Sequence, residues 1–147
     1  SSYTSLSHLQ HISISGYSII PEEEHQIQLD PLKGIDLEEI NLREVSLLIE
    51  SHPYVKAARV SRQYPSTLAI EIVERQPESI LNIEPVLMID REGIILPDKG
   101  HSNDFLVPCL SGFNPAKELY PTGQQTVSVK VQETMNLINR ILDYYPA

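Results

Sequence analysis

Between Gly34 and Pro77 the apolar period changes from helical to two-fold midway, with a proline at each change. This stretch constrains the fold more tightly than any other, because a change of period is a change of secondary structure. Asn41 is placed to cap a first helical turn. Glu44, three residues on, is placed to reach back to the Asn41 N–H, and Ile40 and Val45 sit where a hydrophobic staple closes. Leu42, Val45, Leu48 and Ile49 fall on one stripe while Arg43, Glu44, Ser46 and Glu50 face away, so the helix is expected to bury a single side. Pro53 ends it, since the residue before a proline is pushed out of the α region. From Val55 to Arg62 and from Thr67 to Glu74 the pattern is two-fold. Leu68, Ile70 and Ile72 share one face, and Thr67, Ala69 and Glu71 share the other. Gln63, Tyr64, Pro65 and Ser66 read as a hairpin loop, which gives helix, strand, strand.

The flanks are read the same way. Ile12-Ser13-Ile14-Ser15 alternates as a half-buried strand, and Pro21 followed by Glu22, Glu23 and Glu24 suits a helix start that Pro31 cuts short. After Pro77 the composition shifts. Ser79 to Ile83 reads as a strand, and Pro85 to Pro97 as a hairpin turning at Asp90-Arg91-Glu92-Gly93, where glycine is free to take positive φ. Phe105 to Leu110 is expected to be a short buried strand and Asn114 to Gly123 a loop. Val127, Val131, Met135, Ile138, Ile141 and Leu142 recur at helical spacing, which predicts an amphipathic helix of about four turns. The fold class is α+β: helices packed on a small mixed sheet, followed by a β-rich domain with one amphipathic helix.

Gly34, Pro53, Val55, Ala58, Val60, Arg62, Pro65, Leu68, Glu74, Arg75 and Pro77, in that order and spacing, resemble the POTRA domain of the FtsQ/DivIB cell-division proteins. Val107-Pro108-Cys109-Leu110-Ser111-Gly112 is similar to a strand of the same family's β-domain. The resemblance implies a POTRA domain at 8–77 and a β-domain at 78–147. Because the family's β-domain runs through further strands, it also implies a chain that is truncated or a shortened member. It implies a non-enzymatic, cofactor-free scaffold of the divisome that binds FtsB and FtsL by strand addition and surface contacts, and links them to septal peptidoglycan synthesis. It further implies a place on the extracytoplasmic (periplasmic) face of the bacterial inner membrane at the division septum. There the protein is held by a membrane helix that is absent from this chain.

Charge and composition set limits on alternatives. A net charge of −9 argues against nucleic acid or an anionic membrane surface as the main partner. No stretch approaches the roughly 18 apolar residues of a bilayer span. Catalysis needs clustered titratable groups, and none is apparent. His8 and His11 lie an odd number of residues apart on an expected strand, so they face opposite ways and cannot share a metal. Cys109, behind Pro108 in an apolar run, reads as a small core residue. Two other readings are carried. One is a POTRA module of an outer-membrane assembly or secretion protein, although no second copy of the P-x-V-x-x-A-x-V pattern occurs. The other is a hydrolase using Cys109 and a histidine.

The expected contact residues are therefore surface groups. Lys56, Arg59 and Arg62 form a small basic rank on the first hairpin strand, with Tyr64 at its tip, while nine acidic residues lie between Glu22 and Glu50 against only Lys33 and Arg43. Tyr54 and Tyr64 flank the hairpin and are expected to cover its open end. Glu133, Asn136 and Arg140 mark the exposed side of the last helix. Glu74, Arg75 and Pro77 are expected to hold the junction between the two domains.

Overall fold

The Asn41 cap forms as its side chain requires. Asn41 Oδ1 accepts the Glu44 N–H at 3.0 Å, and helix α2 runs Leu42–Glu50 in this computed structural model, which describes residues 7–100 and 104–145. Strands β2 (Val55–Gln63) and β3 (Thr67–Glu74) follow as the expected hairpin, paired antiparallel with Val60 opposite Ile70 and with Gln63 inside the strand, opposite Thr67. Ahead of them lie β1 (His11–Ser15) and helix α1 (Glu22–Leu29), which continues as a 3-10 turn over Asp30–Leu32 beginning just before Pro31. β1 adds to β3 in parallel, so the sheet order is β1-β3-β2.

The alternation read from sequence places the core. Ile12 and Ile14 of β1 and Leu68, Ile70 and Ile72 of β3 are buried together with Val45 and Ile49 of α2, Leu29 of α1 and Leu37. Each such side chain contributes about 2 kcal/mol when fully buried. Leu48, expected on the buried stripe, is 41% exposed. Val45 and Ile49, with Leu42 partly buried beside them, form the line of α2 that packs on the core, and Leu48 lies to one side of it.

The chain divides into two compact units, one through Arg75 and one from Gln76. In the second, β4 (Pro77–Leu81), β5 (Leu87–Asp90), β6 (Ile95–Pro97) and β7 (Cys109–Leu110) form a sheet of order β6-β5-β4-β7. The Asp90–Gly93 turn forms as expected. Asp90 Oδ1 accepts the Glu92 and Ile94 N–H groups at 2.9 Å each, and Gly93 has φ +86°. Helix α3 (Val129–Tyr144) starts at Ser128, whose Oγ accepts the Val131 N–H at 3.2 Å, and buries Val131 and Met135 beside Leu81, Ile89, Ile95 and Tyr120.

Two expectations for this unit are corrected. The strand foreseen over Phe105 to Leu110 shrinks to Cys109–Leu110, and Cys109 is exposed. Leu110 turns its side chain into the core, so its neighbour must face the other way. Val127, Ile141 and Leu142, all assigned by period to the buried face of the last helix, are 57%, 51% and 39% exposed. Val127 precedes the helix, and along α3 the apolar core of this unit ends at Ile138.

Candidate protein-binding surfaces

The hairpin's basic residues do not act as one rank. On a two-residue period Arg59 and Arg62 point to opposite faces of β2. Arg59 is exposed and sits across from Glu71 on β3. Arg62 is half-buried on the helix-facing side, where its Nε donates to the Leu37 carbonyl at 2.9 Å and its Nη2 to the Ile40 carbonyl at 2.8 Å. Leu37 opens the 3-10 turn Leu37–Glu39 and Ile40 is its C-cap, so Arg62 caps the turn's end and clasps its start from another element. Tyr64, 62% exposed, donates its hydroxyl to the Glu38 carboxylate, and that bond holds the phenol above its ordinary pKa. Arg62 and Tyr64 thus converge on residues 37–40, while Lys56 and Arg59 remain at the surface. Tyr54 does not share the position of Tyr64. It is fully buried, and its carbonyl accepts the Arg75 N–H at 2.7 Å.

Glu74 has a function inside the first unit that sequence reasoning missed. It is 7% exposed, and its carboxylate accepts three successive backbone N–H groups: Ser18 at 3.0 Å, Ile19 at 2.8 Å and Ile20 at 2.9 Å. These donors belong to the loop between β1 and α1, where Gly16, at φ +88°, makes the turn. Only an anion with two oxygens satisfies all three donors. A Glu at the end of a strand carries no local sign of such a partner more than fifty positions away in sequence.

The helices also seal the sheet. Gln26 Nε2 donates to the Ile12 carbonyl on β1 at 2.9 Å. On β2, Ser46 Oγ donates to the Ala58 carbonyl at 2.8 Å, and the Ala58 N–H donates to Glu50 at 3.1 Å. Both outer strands therefore have backbone groups already taken by side chains, a device that discourages pairing with another chain. On β2 this sealing is carried out by Ser46 and Glu50, which the sequence reading turned away from the buried side of the helix.

His25 and His52 make structural contacts within the first unit. His52 Nδ1 accepts the Tyr54 N–H at 3.1 Å, which leaves Nε2–H to donate to Glu24 of α1. The buried His25 ring lies 5.5 Å from that of His52. Among the described residues no group of three or more His, Cys, Asp or Glu side chains is placed to hold a metal, and His101 lies outside them. Nor is any described helix long and apolar enough to cross a membrane.

In the second unit Glu133, Asn136 and Arg140 are exposed on one face of α3, with Leu137 and Tyr144, 51% and 78% exposed, on the same side. Arg91 pairs with Asp143 near the end of that helix, and Asn139 donates to the Arg91 carbonyl at 2.8 Å. Glu78 lies in the same neighbourhood. Burial raises its carboxyl above the ordinary range, Asp90 and Asp143 add to the effect, and Arg91 opposes it. In this sheet the β6 side is closed, since Ile95 donates to the Gln124 carbonyl at 3.0 Å and Gly123 to the Ile95 carbonyl at 2.8 Å. At the opposite margin β7 pairs, among the described residues, with β4 alone.

A three-stranded sheet of this order, covered by two helices and joined to a second small sheet, defines the class: a POTRA domain followed by a β-rich segment. The profile described as "POTRA domain, FtsQ-type" matches residues 7–75. The chain is 27% identical over 135 residues to cell division protein FtsQ of Syntrophotalea carbinolica, covering 90% of this chain and 46% of that protein. It is 24% identical over 112 residues to cell division protein FtsQ of a Geobacter species, covering 76% and 41%. It is 31% identical over 93 residues to cell division protein FtsQ of Mycolicibacterium smegmatis, covering 63% and 28%. Residues 7–75 thus carry an FtsQ-type POTRA domain, and the chain is similar to cell division protein FtsQ over most of its own length while spanning less than half the length of these curated relatives.

Proposed function

We propose that this chain is an extracytoplasmic scaffold segment of the bacterial division machinery, which binds other division proteins and performs no catalysis. The observation that carries the reading is the run of relatives named cell division protein FtsQ, one of them aligned over 90% of this chain. On this reading the partners are FtsB and FtsL, joined by strand addition and surface contacts and linked through this protein to septal peptidoglycan synthesis. The working site is the periplasmic face of the inner membrane at the septum, with a membrane helix as anchor. The margin of β7 supports the mode of binding, because its strand pairs on one side only among the described residues. Lys56 and Arg59 offer exposed cations on the first unit, and Glu133, Asn136 and Arg140 a polar face on the second. Glu74, Arg75 and Pro77 are proposed to stiffen the junction between the two domains.

Depletion of the protein in its source bacterium tests the role. Cells should stop septating and grow as filaments, and normal division on depletion would overturn it. Capture of FtsB and FtsL by the protein, wild type against Lys56→Glu with Arg59→Glu, tests the partners and the basic surface. Weaker capture with an unchanged unfolding midpoint is expected. Equal capture removes that surface, and no capture by wild type removes those partners.

A further inference from the structure

The first unit keeps an apolar groove on its helical side. Leu32, Ile35, Ile40, Val45 and Leu48 line a space of about 290 Å³ between the 3-10 turns and α2. Ile35 and Leu48 remain 39% and 41% exposed, which leaves apolar surface in water inside a concave site. The border is acidic. Glu39 and Glu44 are exposed at the groove's edge. The nearby cations do not neutralise it, since Lys33 is paired with Asp30 at 3.4 Å and Arg43 projects from the opposite side of α2. Along α2 the groove follows Asn41, Glu44, Val45 and Leu48, the one-face spacing of two helical turns or about 10 Å.

Strand addition is the other route by which a sheet recruits a partner, and in this unit helix side chains already bind backbone groups at Ile12 and Ala58. We propose that the groove receives an amphipathic helical segment of a partner protein, with apolar anchors at i, i+4 and i+7 and Lys or Arg on its flanks. Apolar anchors fill the floor, and the flanking cations meet Glu39 and Glu44, which sets both the preference and its salt dependence. The inference is independent of the division role, because it rests on the groove and its rim.

The test is an NMR titration of the isotope-labelled chain with a synthetic helical peptide carrying Leu at i, i+4 and i+7 and Lys on both flanks, at low and high salt. Saturable shifts centred on Leu32, Ile40, Glu44 and Leu48 are expected, weakening as salt rises. Glu39→Lys with Glu44→Lys should lose affinity roughly ten-fold at low salt, and a Glu-flanked version of the peptide should bind wild type weaker by a similar factor. Both glutamates are exposed, and Glu44→Lys in the first turn of α2 should lower the unfolding midpoint only slightly by opposing the helix dipole, so binding is compared well below that midpoint; Leu48→Ser provides a second variant that removes an anchor and not a charge. Shifts centred elsewhere, no saturation, or equal binding of the Glu-flanked peptide would overturn the proposal. So would groove signals that move with protein concentration in the absence of peptide, which assigns the groove to a second copy. Tighter peptide binding after deletion of residues 1–6 would overturn it as well, by assigning the groove to the chain's own N-terminus.

Discussion

The sheet of the first unit and that of the second treat their margins differently. In the first, polar side chains from α1 and α2 are committed to backbone groups of β1 and β2: Gln26 to Ile12, and Ser46 and Glu50 to Ala58. Two further charged groups, Glu74 and Arg62, hold irregular segments by their backbone. In the second, a loop closes the β6 side, β7 is two residues long, and α3 turns Leu137, Ile141 and Tyr144 outward. The first unit is therefore finished by long-range polar contacts and leaves a groove on its helices, whereas the second keeps apolar helix surface and a thinly paired strand. The lesson is that an edge strand is not by itself a docking site. What side chains do to its backbone decides whether it is open.

Breaking the first unit's polar finish tests this contrast most severely. Gly16→Ala places a Cβ 1.9 Å from the Ile72 carbonyl oxygen at φ +88°, and should cost roughly 3 kcal/mol or more. Hydrogen exchange should then rise throughout β1 and β3, and unchanged protection would show that the loop tolerates the turn. Glu74→Ala strands three backbone donors, with an expected loss of about 2–3 kcal/mol in urea unfolding. A loss under about 1 kcal/mol would mean that water replaces the carboxylate. Asn41→Ala and Ser128→Ala remove one helix cap in each unit and should cost about 1 kcal/mol apiece. Equal costs would show that caps act locally, so that the difference between units lies in the long-range contacts.

The smallest effect concerns Glu78, and its sign is the reverse. A carboxyl whose folded pKa is raised binds more protons folded than unfolded, so stability falls as pH rises through the carboxylate range, and the penalty is complete at neutral pH. Glu78→Gln should stabilise the protein at pH 7 by only a few tenths of a kcal/mol, on the order left after solvent screening. It should also flatten the pH dependence of the unfolding midpoint between mildly acidic and neutral conditions. Destabilisation by this change would make attraction to Arg91, and not burial, the governing influence on Glu78.

Much of the architecture was legible beforehand because it is written locally. The Asn41 cap, the alternation of Leu68, Ile70 and Ile72, and the Asp90–Gly93 turn each depend on residues within a few positions of one another. By the same measure Cys109 and Leu48 misled, since their neighbours in sequence are apolar while their exposure depends on which side of a strand or helix meets the core. Arg59 and Arg62 read as one basic group, yet a strand's two-residue period separates them.

The sequence by itself determined the helix-strand-strand unit, its core faces and the family resemblance, because periodicity and capping are short-range. Only the tertiary structure decided that Glu74 binds the loop ahead of α1, that Arg62 caps a distant turn, and that Ser46, Glu50 and Gln26 close the sheet. Those choices rest on donors and acceptors brought together across many positions of chain. Hydrogen bonds are satisfied by proximity in space, to which a one-dimensional pattern is blind.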